Sequence, residues 1–177
     1  MLKLVLFAHL LLIFLPSHAA PPQDALAAFD GLCVGTGADL STIEKMATAA
    51  GAKPVPPEVL NQDPVIAKSG GKGFAFNRNG SRFIVTATPT GTCSMLLFGI
   101  KAPAMRSLVE ANYSLAKPHI ESSGTQVNTL FRITAPSMYA GGYLMIGEPK
   151  PGFGADNLVT LGFIPASAAA KLRIGQR

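Results

Sequence analysis

Two cysteines, Cys33 and Cys93, are the residues of this 177-residue chain whose type and spacing most directly imply chemistry. In an exported chain such a pair predicts one structural disulfide. It closes a loop of about 60 residues and contributes roughly 4 kcal/mol in the chain-entropy description. A redox dithiol is disfavoured, because no Cys-x-x-Cys is present and only one histidine, His119, lies beyond residue 19. A lone histidine directly after Pro118 does not make a metal site, so no metal or other cofactor is expected.

Nucleotide motifs fail on their spacing. Gly35-Thr36-Gly37 continues without a third glycine, and Ser69-Gly70-Gly71-Lys72-Gly73 lacks both the leading glycine and the hydroxyl residue after the lysine. No Gly-x-Ser-x-Gly elbow is present. Carboxylate chemistry has four acids to draw on beyond residue 64, namely Glu110, Glu121, Glu148 and Asp156. A Glu148–Asp156 pair across one loop is the arrangement that would suit glycosidic hydrolysis, against solvated loop charges beside Lys150 as the plainer reading. The absence of Trp and the scarcity of aromatics exclude a stacking groove for single-stranded nucleic acid, and no nucleic-acid partner is expected.

Charge is distributed unevenly. From Ala20 to Asp63 there are two bases against six acids; from Pro64 onward there are twelve bases against four acids. An acidic front and a basic body imply either that the two dock or that the body meets an anionic partner. The cations Lys72, Arg78, Arg82 and Arg132 fall on expected strands, where charged side chains are depleted, and form a candidate binding surface. Edge protection is the alternative role for them. Phe153, centred in a Gly/Pro-framed loop, is a candidate anchor for a partner or a cap on the sheet.

The elements that carry these residues begin after residue 19. Lys3, the apolar run Val5–Leu15 and the small-residue exit Pro16–Ala20 read as a secretory signal peptide cleaved after Ala19. The apolar run is shorter than the roughly 20 residues needed to cross a bilayer, so no membrane span is expected in the mature, periplasmic or secreted chain. Residues 20–63 form a helical segment. Leu26, Phe29 and Cys33 share one helix face, and Ser41 to Glu44 read as a capping box before a stripe of Ile43, Met46, Ala47 and Ala50 that stops at Gly51.

Residues 64–164 form the sheet domain. Asn79-Gly80 predicts a two-residue hairpin in which Arg78 faces Ser81, Phe76 faces Phe83 and Phe74 faces Val85. The strands are Gly73–Arg78, Ser81–Thr88 and Cys93–Ile100, then a helix over Pro103–Leu115, then strands Val127–Thr134, Met138–Ile146 and Asn157–Ile164. Residues 165–177 read as a flexible tail in which Ala168–Leu172 favours a helix. A weak echo of strands followed by a helix in each half is too faint to establish a repeat.

The expected fold is therefore α+β. A single antiparallel sheet of about six strands (three strands, a helix, three strands) carries an N-terminal helical segment tethered by one disulfide. The expected role is that of an exported binding or accessory module of a bacterial envelope, contacting an anionic or protein partner through its basic sheet surface. The alternatives are a small envelope-polymer hydrolase using loop carboxylates and a purely structural envelope protein.

Overall fold

The computed structural model describes residues 21–61, 64–78, 81–135, 137–152, 157–172 and 174. The expected signal peptide, the Asn79-Gly80 turn, Phe153 and Asp156 lie outside the described residues, as does the side chain of Arg78.

The Phe-rich hairpin organises one half of the sheet. Strands β2 (Lys72–Arg78) and β3 (Ser81–Ala87) pair with Arg78 opposite Ser81, Phe76 opposite Phe83 and Phe74 opposite Val85, the register expected from the two-residue loop. β4 (Cys93–Phe98) follows a turn held by Thr88, which is buried and whose Oγ1 lies 2.7 Å from the hydroxyls of Thr90 and Thr92. Gly99, with φ of 82°, ends β4 two residues before Lys101 opens the next helix.

The sheet has eight strands rather than six, in the order β1-β2-β3-β4-β8-β7-β6-β5. The two added strands are its edges: β1 (Lys53–Pro54), read from sequence as connector, and β5 (His119–Ser123), read as helix exit and loop. Among the described side chains neither buries one, so neither leaves a hydrophobic alternation to find. β6 (Gln126–Arg132), β7 (Tyr143–Pro149) and β8 (Leu158–Ile164) complete the second meander. β7 starts five residues later than expected, because residues 137–142 form turns and leave Met138 exposed; Gly142 there has no room for a Cβ beside the carbonyl oxygen of Ile164. All neighbours pair antiparallel, and β4 and β8 join the two four-stranded meanders at the centre.

Helices α1 (Pro22–Phe29), α2 (Leu40–Ala49) and α5 (Ala102–Asn112) lie over one face of the sheet. That face carries Val85, Met95, Leu97, Phe131, Leu144, Ile146, Leu161 and Phe163, all at most 2% exposed. α1 runs on into a π-turn, Asp30–Val34, which brings Cys33 to the start of β4. Leu26, Phe29 and Cys33 are buried together, as their spacing required. Short helices α3 (Pro57–Leu60) and α4 (Pro64–Ser69) cover the opposite face at the β2 edge, where Leu60 and Val55 crowd the space beside Gly73. The C-terminal segment begins with α6 (Ala166–Leu172), whose Ala168 and Ala169 are buried.

Helix α2 corrects the capping-box reading. Its cap is Asp39, whose Oδ1 accepts from the Thr42 backbone N–H at 2.8 Å, the Thr42 hydroxyl at 2.7 Å and the Ser41 hydroxyl at 2.9 Å. Donation from Thr42 holds the Asp39 carboxyl below the usual carboxylate range. A depressed folded pKa contributes stability above the unfolded value, about 3.9, which is lost as pH falls through the folded pKa. Replacing Asp39 with Ala is expected to lower the thermal midpoint at neutral pH, and the gap from the parent protein narrows in acid below about pH 4. A gap that stays constant with pH contradicts this role.

Candidate functional site: an apolar groove beside Arg82

The outer ends of β2, β3 and β4 do not close against the helices. Phe76 and Phe83 stack across the hairpin with ring centroids 4.8 Å apart and planes 12° from parallel. Phe83 is buried, whereas Phe76 is only half-buried. Around this pair lies an open groove of about 870 Å³. One wall is the small-residue face of α1 and its π-turn (Asp24, Ala25, Ala28, Gly31, Leu32), and another is the end of α2 with Met46, Ala50, Gly51 and Ala52. The sheet supplies Asn77, Arg82, Leu97, Phe98 and Ile100.

The groove explains a departure in α2. The expected stripe of Ile43, Met46, Ala47 and Ala50 divides: Ile43 and Ala47 are buried, while Met46 and Ala50 face the groove, Met46 being 40% exposed. Gly51, with φ of 72°, terminates α2 at the same wall, as the sequence required. Phe98, 43% exposed, continues the apolar rim. Sequence reading missed the groove because helical spacing marks an apolar side chain without saying whether another element covers it.

The basic residues separate rather than cluster. Lys72 is bound to the acidic front: its Nζ donates to Glu44 Oε1 at 2.7 Å and Oε2 at 2.8 Å. Here an N-terminal acid docks on a sheet cation. Arg82 is exposed on β3 at the groove and has no hydrogen-bond or ion-pair partner among the described residues. Arg132 is exposed on β6, and the four inter-strand steps between β3 and β6 separate the two arginines by about 19 Å across the sheet. Arg82 and Arg132 therefore belong to different surfaces.

Glu148 is not a loop residue. It stands on β7 opposite Val127, and its Oε1 accepts from Arg106 Nη2 of α5 at 3.2 Å. Arg106 also reaches the buried Thr129 hydroxyl at 3.4 Å, pinning α5 to β6 and β7. Arg106 was not singled out in the sequence, since one arginine on a helix carries no pattern. His119 sits on edge strand β5 rather than at a helix exit, and its Nε2 lies 3.3 Å from Glu121 Oε1. Among the described residues no group of three His, Cys, Asp or Glu is placed to hold a metal ion, and no helix is long and apolar enough to cross a membrane.

One further polar pair lies under the helices. Tyr113, at the C-terminal cap of α5, donates from its hydroxyl to Asp30 Oδ1 in the π-turn. Burial pushes the Asp30 carboxyl up, partly offset by that donation; burial, the hydrogen bond and the Asp30 charge push the Tyr113 phenol far above its usual range. The hydroxyl keeps its proton across ordinary pH, so the pair acts as a clamp between π-turn and α5 rather than as a base.

Comparison with protein-family models, with curated proteins and with solved structures finds no match for the chain.

Proposed function

We propose that this protein is an exported binding module whose ligand is an anionic amphiphile, with the apolar part in the groove and the acidic head on Arg82. The observation that carries this reading is an open, largely apolar groove of about 870 Å³ that has Arg82, without a side-chain partner among the described residues, in its lining. That volume suits a ligand of small-molecule size. Phe76, Phe98 and Met46 supply apolar surface that the fold leaves only partly covered. Asp24 stands on the α1 wall, which confines a negative head to the Arg82 side. Export rests on the N-terminal sequence pattern and suits a ligand drawn from the envelope.

The test uses dodecyl phosphate and its neutral comparator dodecanol in titration calorimetry. Dodecyl phosphate binds at one site per chain, and Arg82→Gln weakens it about tenfold, or roughly 1.4 kcal/mol, while dodecanol binding is unchanged. Raising the salt concentration weakens the phosphate alone. Failure of the parent protein to bind dodecyl phosphate, or an equal loss for both probes, overturns the reading.

A further inference from the structure

The two edges of the sheet are built differently. β1 is two residues long and ends in Pro54, which blocks strand addition. β5 is five residues long, holds no proline, and leaves Ile120 63% exposed. Among the described residues its outer rim has no neighbour in the sheet.

The hairpin joining β5 to β6 fixes which backbone groups face outward. Ser123 pairs with Gln126 around Gly124-Thr125, with Gly124 at φ of 50°, a two-residue turn whose closing pair exchanges hydrogen bonds. Alternation then turns the Glu121 and His119 backbone toward β6, and the N–H and C=O of Ile120 and Ser122 toward solvent.

We propose that β5 pairs antiparallel with β5 of a second copy of this chain, about a two-fold axis through Ile120. In that register Ile120 exchanges both backbone hydrogen bonds with its counterpart. The Ser122 N–H of each copy donates to the Pro118 carbonyl oxygen of the other, and Pro118, having no N–H, makes no return bond. His119 faces the opposing Glu121 on each side of the axis, in the non-hydrogen-bonded pairs where side chains approach most closely. The two exposed Ile120 side chains meet across the axis on the helix-covered face.

Neighbouring registers that bring outward groups together are worse. An axis at Glu121 sets two carboxylates opposite each other. An axis at His119 sets two imidazoles opposite each other. The sequence His119-Ile120-Glu121 is thus complementary to itself in one register, which is what selects a second copy over an unrelated strand. The resulting sheet is continuous through both protomers, with the groove of each at the far half of its own sheet.

Sedimentation velocity on the disulfide-intact protein tests this. The chain shows a concentration-dependent monomer–dimer equilibrium. His119→Glu, which sets two carboxylates opposite each other at both ends, raises the dissociation constant about tenfold or more. The double variant H119E/E121H exchanges the charges and restores dimerisation. Under mild oxidation Ile120→Cys cross-links to a covalent dimer much faster than Ser122→Cys, whose thiols stand well apart in this register. A chain that stays monomeric with no Ile120→Cys dimer overturns the proposal. So does a dimer indifferent to His119→Glu, a double variant that is not rescued, or equal cross-linking of the two cysteine variants.

Discussion

Replacing both Cys33 and Cys93 with Ala is expected to lower the free energy of unfolding by about 4 kcal/mol. The bond spans 60 residues, with Cα atoms 5.4 Å apart, and both cysteines are buried. In the chain-entropy description its main effect is on the unfolded chain, whose loop is held closed. A second effect is local. The bond fastens the π-turn to the start of β4, and the π-turn carries Gly31 and Leu32 of the groove wall. Packing of Leu26 and Phe29 and the Tyr113–Asp30 hydrogen bond also hold that segment, so the variant folds but binds dodecyl phosphate more weakly. Chemical denaturation reads the first effect, and reductant added to the parent protein reproduces it. A loss below about 1 kcal/mol would mean that the unfolded chain is already compact across this loop.

How much of this was legible in the sequence follows from which residues are buried. The register of β2 on β3 follows from Asn79-Gly80, and the face shared by Thr129, Phe131 and Ile133 follows from alternation. In both places one side of the strand is more deeply buried than the other, which is what periodicity reports. The described side chains of β5 are all exposed and β1 is too short to have a dry side, so neither edge strand is legible in the sequence. Pro149 after Glu148 reads as the start of a loop, yet a proline ends a strand as readily as it opens a loop. The echo of strands followed by a helix in each half is real as topology: α5 follows the first meander and α6 the second, with β4 against β8 at the join. The groove depends on Met46 and Phe98 being left uncovered by the other described residues, and that is a property of three elements together.

Phe163→Ala is expected to cost about 4 kcal/mol, because the ring fills the join between the two meanders. Phe163 on β8 is fully buried and lies between Cys93 of β4 and Leu144 of β7 in the ladder. Tyr139 meets its ring edge-on, with centroids 5.8 Å apart, an arrangement that adds about 1 kcal/mol beyond area burial. Phe98→Ala on β4 removes the same side chain from a site 43% exposed at the groove rim, and its expected loss is about 1 kcal/mol. Phe163→Leu keeps most of the volume, loses the ring pair, and falls between the two. The contrast separates burial from residue type, since both phenylalanines sit on the central pair of strands. It also bears on cooperativity. A cavity at the β4–β8 seam weakens the ladder through which the halves are bonded, so the halves in Phe163→Ala unfold together in one transition at lower denaturant. Two resolved transitions, or equal losses for Phe163→Ala and Phe98→Ala, would show that each meander holds its own core and that the seam adds little.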